Sequence, residues 1–406
     1  VTRGLQSFRF LARASSDDTK LVHVRRMASV LLLSVVLVAG CGGPLGRADT
    51  KRPGRASTAS QSPAPKSQLT VVAAGDLLVH PELTAQAATD ARAAGRAGHD
   101  FTQVLAAIRP VVSRADLAIC HMETPLAEPS GPFTGYPIFS VPPELADAAA
   151  WAGFDTCSTA SNHSLDTGVP GIRRTLDKLD QAGLRHAGTA RSPQEAARPN
   201  ILDVAGVKVA QLSYTFGFNG IPRPTGQDWV ANLADRNAIL AEARRARDLG
   251  AEIVILSMHW GTEYQNKPND EQLQLARDLL ASPDIDLIVG HHVHVVQPFE
   301  KIGTKWVAYG LGNLTTYGSE ESTQQAVVPE FTFTRKASGR WEVSGVEVHA
   351  TWMQYQPAAR VVDLASAVAD VGAPEERRAD LARVQQQISQ YVDMRGALSA
   401  GLRMRR

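Results

Sequence analysis

Five apolar runs of strand length in this chain each end in histidine, aspartate, asparagine or glutamate, and that shared ending constrains the fold. The densest case is Asp286-Leu287-Ile288-Val289-Gly290-His291-His292-Val293-His294-Val295-Val296-Gln297. Imidazoles just beyond a strand lie at the carboxyl edge of a sheet, where open α/β folds build their sites. Neutral imidazole is also a common metal ligand. Alone, this stretch reads equally well as a histidine-rich loop with no ligand role. Four other strand ends shift the balance. Gly75-Asp76 leads to His80, and Cys120-His121-Met122-Glu123 follows the second run. Ser161-Asn162-His163-Ser164-Leu165-Asp166 follows the third, and His259-Trp260-Gly261-Thr262-Glu263-Tyr264 the fourth.

One such residue would be ordinary, since aspartate after a strand often caps the next helix. Five clusters in one α/β layer exceed what capping needs. Their mixed oxygen and nitrogen donors suit a divalent Mn, Fe or Zn ion, and no paired cysteines suggest a structural zinc. The donors outnumber what one ion takes. One or two ions are expected, and a two-ion site would clamp a substrate and activate water for hydrolysis.

The intervening sequence alternates strand and helix. Strands are expected at Leu69–Gly75, Asp116–Cys120, Phe154–Ala160, Ile253–Met258 and Leu287–Val289. Helices are expected at Phe101–Val112, Pro143–Ala152, Val169–Ala182, Arg236–Leu249 and Glu271–Leu280, with Gly183 ending the third. Hairpins are read at 201–214 around Ala205-Gly206 and at 299–309 around Gly303-Thr304. The mixture predicts an α/β sandwich with mixed sheets. Residues 319–406 add a hairpin, 327–351, at an edge of the core and a charged helix over Glu375–Leu398.

Ahead of the folded part, Arg25-Arg26 precede an apolar run, 27–41, that is too short for a typical membrane span. It ends in Val38-Ala39-Gly40-Cys41, which resembles a bacterial lipobox and implies a signal peptide over 1–41 with lipidated Cys41. The chain would then sit on the extracytoplasmic face of the cell membrane. Residues 42–67, rich in Gly, Pro, Ala and Ser, cannot bury enough surface to offset their ordering entropy and read as a tether. A formal net charge of +1 gives no electrostatic case for nucleic acid. Cys120 and Cys157 fall on presumed neighbouring strands; an extracytoplasmic protein could join them as a disulfide, but buried thiols are the expected state because adjacent-strand bridges are often strained. His99, His186 and His349 lack carboxylate company in the sequence and are read as structural.

The blocks, taken in order, resemble a known family. Gly75-Asp76, Met122-Glu123-Thr124-Pro125-Leu126, residues 161–168, residues 259–264, residues 290–297 and Tyr309-Gly310-Leu311-Gly312-Asn313 are similar to the signature blocks of the CapA capsule-synthesis proteins. That family is associated with poly-γ-glutamate synthesis and the calcineurin-like metallophosphoesterases. The resemblance covers roughly Leu69 to Thr316, within a domain read at 68–318, and implies a four-layer α-β-β-α metallophosphatase-like fold. It implies metal ligands at Asp76, Glu123, Asn162, His259, His292 and His294, with His163 as general acid oriented by Asp166. Glu263, Tyr264 and Asn313 are assigned to the substrate side. One departure matters: the phosphoesterases expect histidine two residues after the first aspartate, and this chain has Leu78. His80, His121 and His291 are the additional donors at hand, and His121 stands where asparagine is usual. The resemblance implies metal-dependent hydrolysis of an anionic polymer or other cell-envelope substrate, with a membrane synthase complex as partner. The alternative is a non-catalytic module that binds polymer or synthase with the same fold.

Overall fold

The computed structural model describes residues 66–406, so the expected signal segment, Cys41 and nearly all of the tether lie outside the described residues. Four strands open the fold: β1 (Gln68–Leu77), β2 (Leu117–Met122), β3 (Thr156–Ser158) and β4 (Arg185–Ala187). A second group follows: β5 (Asn200–Val204), β6 (Val207–Thr215), β7 (Ile253–His259), β8 (Leu287–His291), β9 (Phe299–Ile302) and β10 (Lys305–Ala308). The chain then returns through β11 (Asn313–Thr315), β12 (Gln325–Arg335), β13 (Trp341–Gln354), β14 (Arg360–Asp363) and β15 (Leu402–Met404).

These strands form two mixed sheets. One runs β14-β13-β12-β1-β2-β3-β4, with β11 on β1 and β15 on β13; the other runs β5-β6-β7-β8-β10-β9. Side chains alternate along each strand, so β1 serves two cores. Leu69, Val71 and Ala73 pack with Ile253, Ile255, Leu287 and Val289 between the sheets. Val72 and Ala74 face outward to helices bearing Leu83, Leu145 and Leu176. On the far side, Leu256 and Ile288 pack against helices bearing Ile239 and Leu279. The layers therefore run α-β-β-α, as the resemblance implies.

Local signals explain most elements. Asn269 and Gln272 form a capping box at helix Asp270–Ala281, and Gly153 ends Glu144–Ala152 with φ 103°. The expected 101–112 helix instead breaks into Thr102–Leu105, a 3-10 turn and Arg109–Val112. Pro110 lies near the start of the last piece and has no N–H to continue an earlier helix. Helix Pro81–Ala93 was not foreseen, because its buried Leu83, Ala87 and Ala91 give only a weak apolar stripe. The charged helix stops at Asp393, short of Leu398, and Gly396 follows with φ 74°. The C-terminal hairpin adds to the free side of β1 through β12, so residues 319–406 continue the first sheet.

The cysteines are corrected. Cys120 and Cys157 are joined as a disulfide, not kept as thiols. Parallel β2 and β3 set the two residues directly opposite each other, with Cα atoms 4.4 Å apart, inside the bridging range. The bridge spans 37 residues and on chain entropy stabilises by about 3–4 kcal/mol. A Cys120→Ala/Cys157→Ala chain is therefore expected to lose about that much unfolding free energy in a denaturant titration. A loss below about 1 kcal/mol would mean the bridge adds little.

Candidate metal centre

The carboxyl ends of β1, β2, β7 and β8 converge where the two sheets meet. Glycines make this approach possible. A Cβ on Gly75 would lie 2.1 Å from the Gly312 carbonyl oxygen, and one on Gly290 would lie 1.9 Å from that of Tyr309. With no side chain in the way, Asp76 N donates to Gly312 O at 2.9 Å and Leu311 N donates to Gly290 O at 3.0 Å. Asp76 and His291 are thereby brought together across the sheets.

Asp76 is fully buried. Its Oδ1 lies 3.0 Å from His291 Nδ1, and its Oδ2 accepts from His292 N at 3.2 Å. Burial alone would raise this carboxyl, but hydrogen bonds from His291 and His294 hold it well below the usual carboxylate range. Glu123, just beyond β2, is equally buried, and neither of its oxygens has a hydrogen-bond partner. Burial pushes it well above the usual range. His294 stands between the two carboxylates, 3.6 Å from Asp76 and 3.8 Å from Glu123. Burial would lower its pKa, but Glu123 and Asp76 raise it to about 9.

His121, His259 and His292 stay neutral more readily. Burial, followed by neighbouring imidazoles, holds His121 and His259 well below their ordinary value and takes His292 to about 3. His259 Nε2 donates to Asn162 Oδ1 at 2.9 Å, and Asn162 Nδ2 donates to Asn219 Oδ1 at 3.2 Å. His163 Nδ1 donates to Asp166 Oδ2 at 2.7 Å, and that oxygen also accepts from Phe139 N at 2.7 Å.

Among the described residues, three donor groups have ligand atoms within 4.8 Å of one another: Asp76, His121 and His291; Asp76, Glu123 and His294; and Glu263, His292 and His294. His291 Nε2 and His292 Nδ1 are buried without partners, as are both Glu123 oxygens. Buried carboxylates and imidazoles with unused lone pairs fit a divalent cation, because leaving such atoms unpaired is costly.

Other expected residues fall around this cluster. His80 precedes the 81–93 helix, edge-on to Phe139, and belongs to none of the donor groups. Tyr264 is exposed, with its ring 5.9 Å from that of His294. Trp260 is buried in the core and donates to Tyr309 O at 2.9 Å. Asn313, expected on the substrate side, is instead buried and occupied. Its Oδ1 accepts from His294 Nδ1 at 2.9 Å, and its Nδ2 donates to the carbonyls of His294 and Thr323. It orients His294. His99 and His186 do face carboxylates, Glu144 at 3.7 Å and Asp180 at 3.3 Å, but outside the cluster. Three neighbours escaped the sequence reading: Ser158, Asn219 and Phe216, whose ring lies 4.4 Å from that of His292. The last two sit after β6, which ends in no histidine or carboxylate.

The backbone at the cluster is strained. His292 has φ 87° and His294 φ 59°, where side chains other than glycine cost about 1–3 kcal/mol. At position 292, glycine is expected to give a protein about 1 kcal/mol more stable than alanine does, by urea unfolding of the two variants. An alanine variant as stable as the glycine one would remove the claim of strain.

A family model described as bacterial capsule synthesis protein PGA_cap matches residues 70–317. The chain is 31% identical over 201 residues to the PGA biosynthesis protein CapA of Bacillus subtilis (strain 168), covering 48% of this chain and 51% of that one. It is also 31% identical over 173 residues to the capsule biosynthesis protein CapA of Bacillus anthracis, covering 42% of each. The chain thus spans about half the length of the curated relatives it matches. Among solved structures, the calcineurin-like phosphoesterase YfkN of Bacillus subtilis aligns with a TM-score of 0.43 and 12% identity, over 80% of this chain and 99% of that one.

Proposed function

The chain belongs to the bacterial capsule synthesis protein family PGA_cap, and from that premise we propose a metal-dependent hydrolase of capsule or other cell-envelope polymer metabolism. The observation that carries the reading is Glu123, a carboxylate buried without a hydrogen-bond partner beside Asp76 and unpaired imidazole nitrogens. Asp76, Glu123, Asn162, His259, His292 and His294 would hold one or two divalent ions, Mn, Fe or Zn. A bound ion would polarise a phosphoryl or acyl oxygen and lower the pKa of water.

The chain's own residues do the rest. Asp166 fixes the imidazole of His163 by accepting from Nδ1, which leaves Nε2 to give a proton to the leaving atom. Phe139 N holds the carboxylate in that orientation. Glu263 and Tyr264 stand at the substrate side. The substrate class follows from the relatives' names, PGA biosynthesis and capsule biosynthesis, and is an anionic polymer or a precursor of one. Cys41 would be lipidated and tether the chain to the outer face of the cell membrane, where a polymer synthase complex would be its partner. Palmitate labelling that disappears in Cys41→Ala supports the tether, and labelling that persists in the variant removes it.

The reading is tested on the full chain by metal content and by turnover of phosphoester and γ-glutamyl substrates. Near two ions per chain, or one if a single position fills, is expected, with fewer in His292→Ala. His163→Asn should keep its metal and lose about 10²–10⁴-fold in kcat. A chain that takes up no ion after reloading, and turns nothing over, would leave the polymer-binding module in place of the hydrolase.

A further inference from the structure

The position where the phosphoesterase pattern expects a histidine holds Leu78, whose side chain is buried among apolar residues and offers no donor. The neighbouring strand supplies one. In the register of β1 and β2, His121 is the direct partner of Asp76. Its ring stacks on His291 with centroids 4.0 Å apart, and the three residues form one of the donor groups described above.

The His121 ring is held at both nitrogens. Ser158 Oγ lies 2.8 Å from Nδ1, and Nε2 points at His259 Nδ1, 2.9 Å away. His259 in turn donates through Nε2 to Asn162 Oδ1, with the amide set by its own bond to Asn219. Against the stacked face of His121, His291 Nε2 is buried without a partner. Buried imidazole nitrogens gathered beside the Asp76 carboxylate suit a divalent cation.

We propose that His121 is a metal ligand, supplied by β2 in place of the histidine absent at position 78, acting with Asp76 and His291 and facing His259. Ser158, 2.8 Å from His121 Nδ1, is the positioning residue that orients the ring, as outer hydrogen bonds do for metal-bound histidine. This rests on the reading of the cluster as a metal site, and the test separates the two.

Cobalt(II) is titrated into the full chain and followed by visible absorption, with bound metal counted by mass spectrometry. Wild type, His121→Asn, Ser158→Ala and His186→Asn, a histidine outside the cluster, are compared. His121→Asn is expected to lose one bound ion per chain, or to bind it at least about 100-fold more weakly, with a changed cobalt spectrum. Ser158→Ala should keep the stoichiometry and weaken that ion by about 10–100-fold, and His186→Asn should match wild type. A folded His121→Asn with wild-type stoichiometry, affinity and spectrum would overturn the proposal and leave the metal site standing. If His121→Asn does not fold, unchanged cobalt affinity in Ser158→Ala overturns it instead. A wild-type chain that binds no cobalt sinks this proposal and the metal-site reading together.

Discussion

Two carboxylates excluded from water within reach of one imidazole govern this structure. Asp76 and Glu123 both lie in the buried interior, and a carboxylate there is costly unless it is paired. Asp76 meets the requirement with two histidines and a backbone N–H, whereas Glu123 has no hydrogen bond at all. His294 lies between them and is raised to about 9, so a proton on that ring supplies the positive charge that the pair demands. A divalent cation would supply the same charge more fully and displace the proton.

Meeting it places conditions on the fold. Donors from opposite sheets must come within a few ångströms, which brings backbone against backbone. Gly75 and Gly290 stand immediately before Asp76 and His291, and neither has room for a Cβ. Gly312 takes a left-handed φ of 73° and accepts from Asp76 N. The interlocking apolar side chains of β1, β7 and β8 then hold the sheets at this separation. Strain at His292 and His294 is tolerated because neighbours fix both rings, Phe216 against one and Asn313 on the other.

Much of this was legible because strand ends are written locally. An apolar run followed by Asp76, Asn162, His259 or His291 needs no long-range information. The mixed α/β sandwich is legible for the same reason, since alternating strand and helix periods limit the packing, whereas the four-layer order is implied by the family resemblance. Register was not. Nothing local says that His121 is the partner of Asp76, or that Cys120 is that of Cys157, because those pairings depend on how two strands slide past each other. The bonds of Asn313 are illegible for a related reason: a polar residue after a glycine turn looks free until the carbonyls of His294 and Thr323 are brought to it. Phe216 and Asn219 were missed because their loop has no donor cluster and acquires a role only through contact with His292 and Asn162.

The loop after β3 bears most directly on whether the cluster does chemistry. Ser161 Oγ donates to Glu123 O at 2.7 Å and accepts from His163 N at 3.1 Å. Ser164 Oγ donates to Thr159 O and accepts from Ser161 N, both at 2.8 Å. The loop is thus tied to the residue behind the Glu123 carboxylate, and His163 cannot shift without disturbing the cluster. An ion held only to brace the fold would need none of this, since His163 belongs to none of the donor groups and Asp166 lies behind it. A fixed imidazole with one nitrogen occupied and the other free, set beside the donor cluster, is the arrangement that proton transfer to a leaving group requires. The proposed hydrolase rests on that pairing more than on the number of candidate metal donors.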